Sequence, residues 1–505
     1  MPQAAADVAS QTIRFGFNNT YARLPENFYA RVNPTPVEAP RLVKLNEELA
    51  RELGLDADAL GSEDGVAVLA GNRVAEGSEP LAQAYAGHQF GSFVSQLGDG
   101  RANLLGEVVG RNGGRHDIQL KGSGRTPFSR GGDGRAAIGP VLREYIVSEA
   151  MAALGVPTTR SLAAVTTGER VLRDGALPGA VLTRVATSHM RVGTFQYFAA
   201  RGDRESLRTL ADYAIFRHYP QAAQAMQPYH ALLEGVVTRQ AQLIAQWMLL
   251  GFVHGVMNTD NTSISGETID YGPCAFLEAY DPATVFSSID HGGRYSYGNQ
   301  ANVARWNLAR LAETLLSLLV EETGDEAAAV ASANQALSVF EPQFQSARSA
   351  GLRRKLGISV ASEEADALAE DLLQRMAVNH ADFTLTFRRL CDAAASPEDD
   401  AGVRALFADP AAYDSWAVQW RRLLREQPTD GQARATAMRR MNPVFIPRNH
   451  LVEAALEAAT WRQDFQPFEE LLNAVTRPYE ERPGLERYAM PARPEERVLQ
   501  TFCGT

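Results

Sequence analysis

Short apolar runs separated by glycine-rich turns characterise the first part of the chain and predict β-structure there. Strands are predicted over Ala102–Val109 and His116–Leu120 because both runs are bounded by turn residues. Two further strands, Leu162–Thr166 and Ala180–Val185, are predicted on the same grounds and are joined by a turn. The first part of the chain is therefore expected to form a sheet.

The spacing of apolar residues becomes helical further along. Apolar residues between Leu233 and Met248 recur on one helical face, which predicts a long helix that ends shortly before His254. An earlier helix is predicted over 140–154, with Pro140 in its first turn. Further helices are predicted over Val43–Leu53, 302–322, 326–348, 363–379 and 450–460.

Strands first and helices afterwards are typical of the α+β class. A hairpin, a strand ending in lysine and then a helix is also the order of elements in a kinase N-lobe. We predict a bilobed protein-kinase-like fold, with a β-rich N-lobe over 84–190 and a mainly helical C-lobe over 191–477. Residues 1–83 are predicted to be an N-terminal extension that packs on the N-lobe, and residues 478–505 a C-terminal tail.

Composition narrows the class of protein. The chain has 505 residues, of which 45% are hydrophobic and 22% charged, as in ordinary soluble globular proteins. The formal net charge of −11 argues against nucleic acid as the main partner. Three scattered cysteines argue against a disulfide framework or a zinc site. No apolar run has the length of a membrane span and no signal-peptide pattern is present, so we expect a cytoplasmic protein without a membrane partner.

The stretch 254–270, HGVMNTDNTSISGETID, carries the densest candidate chemistry. Kinase-like folds hold magnesium with an Asn and, about ten residues later, an Asp. Asn261 and Asp270 have this spacing, and a β-hairpin is predicted between them. Tyr271 and Gly272 follow, so that D-Y-G stands where kinases have D-F-G.

The position of the kinase catalytic base is changed in this stretch. HGVMNTDN resembles the catalytic loop of aminoglycoside and choline kinases, but Val256 stands where those kinases have their catalytic Asp. Valine cannot accept a proton. Either the chain is an inactive kinase or the base has moved, and Asp260 is then the candidate proton acceptor.

Two glycine-rich segments are candidates for phosphate binding. The first, QLGDGR at 96–101, lies where kinases carry a glycine loop, although it lacks the third glycine of that motif. The second, at 122–136, combines glycines with Arg125, Arg130 and Arg135. Its composition suits phosphate binding by backbone amides and guanidinium groups, and it also fits a flexible linker.

Lys121 is the candidate for the kinase lysine, which pairs with a glutamate of the next helix. Glu144 and Glu149 both lie on the predicted helix, and the spacing leaves the choice between them open. Arg184 and Arg191 lie at and just beyond the last predicted strand, beside the expected nucleotide cleft.

Several long strings resemble one family of protein nucleotidyltransferases, the SelO family, also called YdiU. They are YAGHQFGSFVSQLGDGRA (85–102), QLKGSGRTPFSRGGDGRA (119–136), TRVATSHMRVGTFQYFA (183–199), HGVMNTDN (254–261) and TIDYGPCAF (268–276). The resemblance extends through most of the chain, from about residue 14 to the cysteine near the C-terminus.

The resemblance implies specific site residues. The residues that match nucleotide contacts of the family are Gly98, Gly100, Arg101, Lys121, Asp133, Gly134, Arg184, Arg191 and Asp270. It also implies that Glu144, rather than Glu149, is the partner of Lys121, and that Asp260 is the proton acceptor. Asn261 and Asp270 match the ligands of Mg²⁺ or Mn²⁺.

The family has a kinase-like fold that holds ATP in an inverted orientation, and it transfers AMP, and in some members UMP, to Ser, Thr or Tyr hydroxyls of proteins. The resemblance thus implies a protein nucleotidyltransferase that uses ATP or UTP, releases pyrophosphate and modifies proteins, itself included. Two interpretations compete with it: a kinase-like phosphotransferase, which Val256 disfavours, and a nucleotide-binding pseudokinase scaffold. The retained Lys121, Asn261 and Asp270 disfavour the scaffold.

The cysteines suggest a redox hypothesis. Some members of the family have selenocysteine third from the end, where this chain has Cys503. The first cysteine of their C-x-x-U pattern is replaced here by Gln500, so any partner of Cys503 must be distant. Cys274 lies four residues after Asp270, and we hypothesise that it pairs with Cys503 under oxidation. The alternative is that Cys503 is a free exposed thiol and Cys274 a packing residue, as is expected for Cys391.

Overall fold

The structure is a computed structural model that describes residues 13–501. Its strands are β1 Tyr29–Arg31, β2 Arg41–Leu45, β3 Leu81–Gln83, β4 Gly87–Gln89, β5 Ser92–Val94, β6 Ala102–Val109, β7 Arg115–Lys121, β8 Ala136–Ala137, β9 Arg160–Leu172, β10 Ala176–Ala186, β11 Phe252–Val253 and β12 Ala275–Phe276. Eight of them form one antiparallel sheet in the order β1-β3-β6-β7-β10-β9-β2, with β8 beside β10. β4 pairs with β5, and β11 with β12.

The helices are α1 Glu47–Glu52, α2 Ala57–Gly61, α3 Glu63–Leu69, α4 Ile138–Ala153, α5 Val192–Ala199, α6 Arg204–His218, α7 Pro228–Leu250, α8 Gln300–Thr323, α9 Glu326–Ser338, α10 Phe340–Lys355, α11 Glu363–Asn379, α12 Phe383–Ala395, α13 Asp400–Arg404, α14 Pro410–Arg425, α15 Gly431–Arg439, α16 Asn449–Glu457 and α17 Gln466–Val475. An antiparallel sheet in the N-terminal part and helices in the C-terminal part confirm the predicted α+β class. No helix within residues 13–501 combines the length and the apolar character that crossing a membrane requires.

The central strands confirm the predicted β-structure. β6 has the bounds predicted from the sequence, and β7, β9 and β10 contain the other three predicted strands. β10 lies between β7 and β9, and its residues from Gly179 onwards are buried, because helices cover this part of the sheet. The sheet therefore holds the ends of β7 and β10 in fixed positions beside the cavity described below.

Helix α4 packs between the sheet and the C-terminal helices. Leu142 and Ile146 belong to the same core cluster as Leu182 of β10, and the cluster continues into α16 and α17. The Tyr145 ring meets the ring of Phe468 on α17 edge to face, with 5.6 Å between centroids. Residues near the end of the chain thus help to fix the helix that carries Glu144.

Three local predictions are wrong. Val43–Leu53 is not one helix, because its first residues belong to β2 and only Glu47–Glu52 is helical. The segment 326–348 is divided between α9 and α10, which meet at Val339. Residues 262–269, all of which the structure describes, do not form a hairpin. Ser263 instead bridges Arg191 and Thr268 bridges Thr158, so both segments pair with distant parts of the chain.

A buried ion network joins the sheet to the helical region. Arg217 of α6 pairs with Glu107 of β6 at 2.9 Å and with Asp117 of β7 at 3.0 Å, and all three side chains are almost fully buried. Burial alone would raise the pKa of Asp117, but Arg217 and a hydrogen bond from His189 lower it to about 2. Asp117 is therefore ionised at neutral pH, and the ion pairs tie α6 to two central strands.

Candidate active site

One cavity of about 610 Å³ opens between the sheet and the segment 254–273. Of the arginines of the segment 122–136, Arg130 and Arg135 line the cavity and Arg125 does not. The lining contains every residue that the family resemblance assigns to the nucleotide, the metal, proton transfer or the pairing with Lys121: Gly98, Gly100, Arg101, Lys121, Asp133, Gly134, Glu144, Arg184, Arg191, Asp260, Asn261 and Asp270. These residues come from parts of the chain more than 170 positions apart, and the fold brings them to one place. A concave site of this size can enclose a nucleoside triphosphate.

Asp270 is the centre of the charged groups in the cavity. Its carboxylate accepts from Lys121 Nζ at 2.8 Å, from Arg184 at 2.6 Å and from Arg191 at 3.2 Å. Glu144 accepts from Lys121 at 2.6 Å and from Arg184 at 3.1 Å. Three cations thus face two carboxylates, which leaves an excess of positive charge that suits phosphate groups.

Burial alone would raise the pKa of both carboxyl groups, but the neighbouring cations outweigh it. Lys121, Arg184 and Arg191 hold the pKa of Asp270 well below its ordinary value. Lys121 and Arg184 likewise lower the pKa of Glu144. Both groups are charged at neutral pH, so the cluster is an ionic network rather than a set of neutral hydrogen bonds.

The structure brings Glu144, and not Glu149, to Lys121. Glu149 points to the other side of α4, where it accepts from Arg160 at 2.7 Å and from the amide of Asn46 at 2.8 Å. Arg184 is positioned by the sheet itself, because Gln119 lies directly opposite it on β7 and accepts from its guanidinium at 2.7 Å.

The glycine-rich segments form the wall of the cavity nearest the sheet edge. Gly98 has φ +72°, and a Cβ on this residue would overlap the Phe128 ring. Gly134 has φ +69° and lies so close to the carbonyl of Gly124 that no side chain fits. Within residues 13–501, the Arg101 guanidinium has no hydrogen-bond or ion-pair partner in the protein, so its donors are free for a ligand.

Asp133 has a partner that the sequence analysis missed. Arg173, at the turn between β9 and β10, donates to both carboxylate oxygens of Asp133, at 2.9 and 3.2 Å. This side-chain hydrogen bond is the main reason that the pKa of Asp133 is lowered. Arg173 also lines the cavity. An arginine in the turn of a predicted hairpin was the only sequence signal for it.

Asp260 lies in a single 3₁₀ turn, Thr259–Asn261, and is buried. Its Oδ1 has no hydrogen-bond partner among the described residues, and its Oδ2 lies 3.4 Å from Nε2 of Gln89. Burial raises the pKa of Asp260 to about 6, although Arg191 opposes the shift. A carboxylate with an unused oxygen and a raised pKa is suited to accepting a proton. Gln89 was not identified from the sequence.

Asn261 and Asp270 offer oxygen atoms for a divalent cation. The Asn261 amide donates through Nδ2 to the carbonyl of Val256 at 2.9 Å, which orients the side chain and leaves Oδ1 free. No group of three or more His, Cys, Asp or Glu side chains within residues 13–501 could hold a metal ion. One carboxylate, one amide oxygen and the phosphates of a nucleotide nevertheless fit Mg²⁺, which is usually bound by few protein ligands and keeps several waters.

His254 is a scaffold residue in this structure. Its ring stacks on Trp247, with 5.3 Å between centroids, and its Nε2 lies 2.9 Å from the carbonyl oxygen of Ile269. Burial lowers the pKa of His254. The neutral ring therefore holds the segment before Asp270 in place.

The cysteine hypothesis stays a prediction. Cys274 is 1% exposed, and burial raises the pKa of its thiol to about 12, so the thiol is protonated and shielded in this conformation. Cys503 lies outside the described residues. The last described residue, Thr501, donates its backbone amide to the carbonyl of Phe286 at 2.7 Å. Cys391 is fully buried, as expected for a packing residue.

Comparison with known proteins identifies the family of the chain. The family model described as "Protein adenylyltransferase SelO" matches residues 11–476. A protein of Rhodopseudomonas palustris strain BisB5 named "Protein nucleotidyltransferase YdiU" is 64% identical over 494 residues, which is 98% of this chain and all of that protein. Proteins with the same name from Methylorubrum extorquens strain PA1 and Bradyrhizobium sp. strain BTAi1 are 64% and 63% identical, again over 98% of this chain and their full lengths. The chain therefore belongs to the SelO family of protein nucleotidyltransferases.

Proposed function

We propose that this nucleotidyltransferase moves AMP from ATP to Ser, Thr or Tyr hydroxyls of proteins, itself included, and that it also accepts UTP and transfers UMP. We further propose that the sheet and the helical region are the two lobes of a kinase-like fold, with the boundaries predicted above. The printed names of the family and of its relatives support nucleotidyl transfer to proteins. The choice of hydroxyl and of nucleotide is our extension.

The observation that carries the proposal is the position of the proton acceptor. Val256 stands where a kinase has its catalytic Asp, while Asp260, four residues later, is buried in the cavity with one oxygen that no described residue hydrogen-bonds. In a kinase the acceptor hydroxyl attacks the γ-phosphorus. A base at the shifted position would accept the proton of a hydroxyl that attacks a different phosphorus. An inverted nucleotide presents its α-phosphorus there.

The cations would hold the remaining phosphates. Arg101 has no partner in the part of the chain that the structure describes, and Lys121, Arg184 and Arg191 exceed in number the carboxylates that face them. Their donors match the β- and γ-phosphate oxygens, which leave together as pyrophosphate. Arginine binds phosphate with two parallel hydrogen bonds, so it orients the leaving group as well as neutralising it.

Asn261 and Asp270 would hold Mg²⁺ or Mn²⁺, and the ion when bound would neutralise charge on the phosphates. The protein's own contribution is geometric. Lys121 and Arg184 fix Asp270, and Val256 fixes Asn261, so both oxygen ligands are in place before a nucleotide binds. Asp260 would then take the proton of the acceptor hydroxyl through its free oxygen.

The decisive experiment determines which phosphate of ATP is transferred to protein. The protein is incubated with Mg²⁺ or Mn²⁺ and ATP that carries label on either the α- or the γ-phosphate, together with a mixture of soluble proteins. We expect protein-bound label from α-labelled ATP alone, and none with Asp270→Ala. Transfer of γ-label would establish a kinase instead. Absence of transfer from either label, across many acceptor proteins, would establish a nucleotide-binding scaffold.

A further inference from the structure

The hairpin formed by β4 and β5, residues 87–94, contacts the 3₁₀ turn Thr259–Asn261, which carries Asp260, and the residue before it, Asn258. The backbone amide of His88 donates to Oγ1 of Thr259 at 2.7 Å, and that of Phe90 donates to Oδ1 of Asn258 at 3.0 Å. Gly87 lies so close to the turn that an added Cβ would be 2.6 Å from the nearer oxygen of the proton-acceptor carboxylate. One face of the hairpin therefore belongs to the active site.

The other face of the hairpin carries an aromatic surface that the proposed chemistry does not use. His88 and Phe93 lie opposite each other on the two strands, with ring centroids 4.9 Å apart. The His88 ring also meets the ring of Trp306 on α8 edge to face, at 5.2 Å. Phe93 is 43% exposed, which is unusual for a side chain of this size in the middle of a short strand.

Two arginines flank the tryptophan. The guanidinium groups of Arg294 and Arg310 both lie 4.8 Å from the centroid of the Trp306 ring. Within the described residues Arg294 has no carboxylate partner, while Arg310 pairs with Glu313 at 2.5 Å. Nε of each arginine is buried without a hydrogen-bond partner among the residues that the structure describes.

The arrangement is suited to binding carboxylates. Packing against an aromatic ring restricts a guanidinium, and its remaining N–H groups can donate parallel hydrogen bonds to a carboxylate. One N–H group of Arg310 already donates to Glu313, so Arg294 is the more available of the two. The chain as a whole has a formal net charge of −11, yet this surface beside the active site carries two arginines against one glutamate. The local charge is therefore opposite to the overall charge, and it favours an acidic partner.

We propose that His88, Phe93, Trp306, Arg294 and Arg310 form a docking platform for an acidic segment of the substrate protein, next to its acceptor hydroxyl. The inference rests on the proposed function, since it assigns the class of substrate that the same site takes. His88 and Phe93 of the platform lie on the hairpin that contacts Asp260, and the guanidinium of Arg294 lies beside Gly91 at its tip. Four residues of extended chain span about 13 Å. Acidic residues within about four positions of the acceptor can therefore reach it.

The test uses a set of peptides with one central hydroxyl, in which Glu, Gln or Lys is placed in turn at each flanking position. Transfer of α-label from ATP to the peptides is measured for the full chain, together with labelling of the protein itself. We expect Glu to raise kcat/KM over Gln by about two- to fivefold at each favoured position, as is usual for one solvent-accessible charge pair. Lys at the same positions should lower kcat/KM relative to Gln.

The double variant Arg294→Gln/Arg310→Gln should lose the preference for Glu while it still labels itself and the Gln peptides. A matched control is Arg404→Gln/Arg422→Gln, which removes the same charge from α13 and α14, where both arginines pair with surface carboxylates. The control should keep the preference. Thermal unfolding of both variants checks that the fold is intact.

A second measurement separates this inference from the proposed function. Fluorescence anisotropy of a labelled Glu-rich peptide reports binding without any transfer, and raised salt should weaken it. If label transfer fails with every acceptor, the proposed function is wrong, and the binding measurement alone decides whether the platform exists. Equal affinity for Glu-rich and Gln-rich peptides, or equal binding by the wild type and the Arg294→Gln/Arg310→Gln variant, would overturn the docking platform.

Discussion

Replacing Asp270 by asparagine should separate catalysis from nucleotide binding. Asparagine keeps the shape of the side chain and removes its charge, so that Lys121, Arg184 and Arg191 face only the carboxylate of Glu144. The variant loses the charged metal ligand, and α-label transfer should fall below detection. The same change leaves the cations underneutralised, and the phosphates of ATP can supply the missing negative charge.

The expected loss of stability in Asp270→Asn follows from the burial of the Asp270 ion pairs. Removing one partner of a buried ion pair costs roughly 3–5 kcal/mol. We expect the lower end, about 3 kcal/mol, because a buried carboxylate, Glu144, remains bonded to two of the three cations. The Asp270 side chain is also 22% exposed, so water screens part of the interaction. ATP at a hundred times its Kd should then raise the free energy of unfolding of the variant by about 2.7 kcal/mol.

The assay is urea unfolding in the presence of EDTA, with and without ATP, for the wild type and Asp270→Asn. ATP should stabilise the variant at least as much as it stabilises the wild type. Asp366→Asn is the control, because Asp366 is 40% exposed and pairs with Arg353 on the surface. The Asp366→Asn substitution should reduce the free energy of unfolding by less than about 1 kcal/mol. If the folded Asp270→Asn variant fails to bind metal-free ATP, Asp270 orients the cations instead of competing with the phosphates, and the reasoning above is wrong.

Four further variants test other parts of the site and fold. Asp260→Asn should lower turnover by roughly 10²–10⁴-fold with unchanged ATP affinity in a binding assay, as loss of a general base does; a collapse of ATP binding would make its role structural. Gly98→Ala should raise KM for ATP, because the new Cβ meets the Phe128 ring at a positive φ. Val256→Asp should transfer no γ-label, since restoring the kinase residue does not turn the nucleotide around; γ-transfer by this variant would refute the inverted orientation. Arg217→Gln should reduce the free energy of unfolding by about 3–5 kcal/mol, because it leaves the buried Asp117 without its cation and Glu107 with Arg115 alone. An unchanged urea midpoint would show that the network adds no stability.

The sequence predicted those parts of the site that depend on local patterns. Lys121 ends a strand whose apolar residues and turns are visible in the sequence, and Asn261 and Asp270 are separated by a recognisable spacing. Spacing alone could not choose between Glu144 and Glu149. Both lie on one helix, and only the position of the helix on the sheet decides which of them faces the cavity.

Contacts between distant segments could not be predicted from local sequence patterns. The segments around Ser263 and Thr268 have the composition of a hairpin, but their backbone groups pair with Arg191 and Thr158. Gln89 contacts Asp260 across more than 170 positions of the chain. Such pairings are set by tertiary packing, which outweighs the preference of a short segment for one structure.

The Arg217 network has a consequence for how the molecule folds. Glu107 and Asp117 are buried on neighbouring strands, and the cation that pairs with both of them is contributed by a helix roughly a hundred positions later. A fragment that ends before α6 would keep Arg115 beside Glu107, but it would bury the charge of Asp117 without a cation, which is strongly unfavourable in a nonpolar interior. The sheet and the helices that follow it are therefore one cooperative unit, and the N-terminal half is not expected to survive as an autonomous fragment.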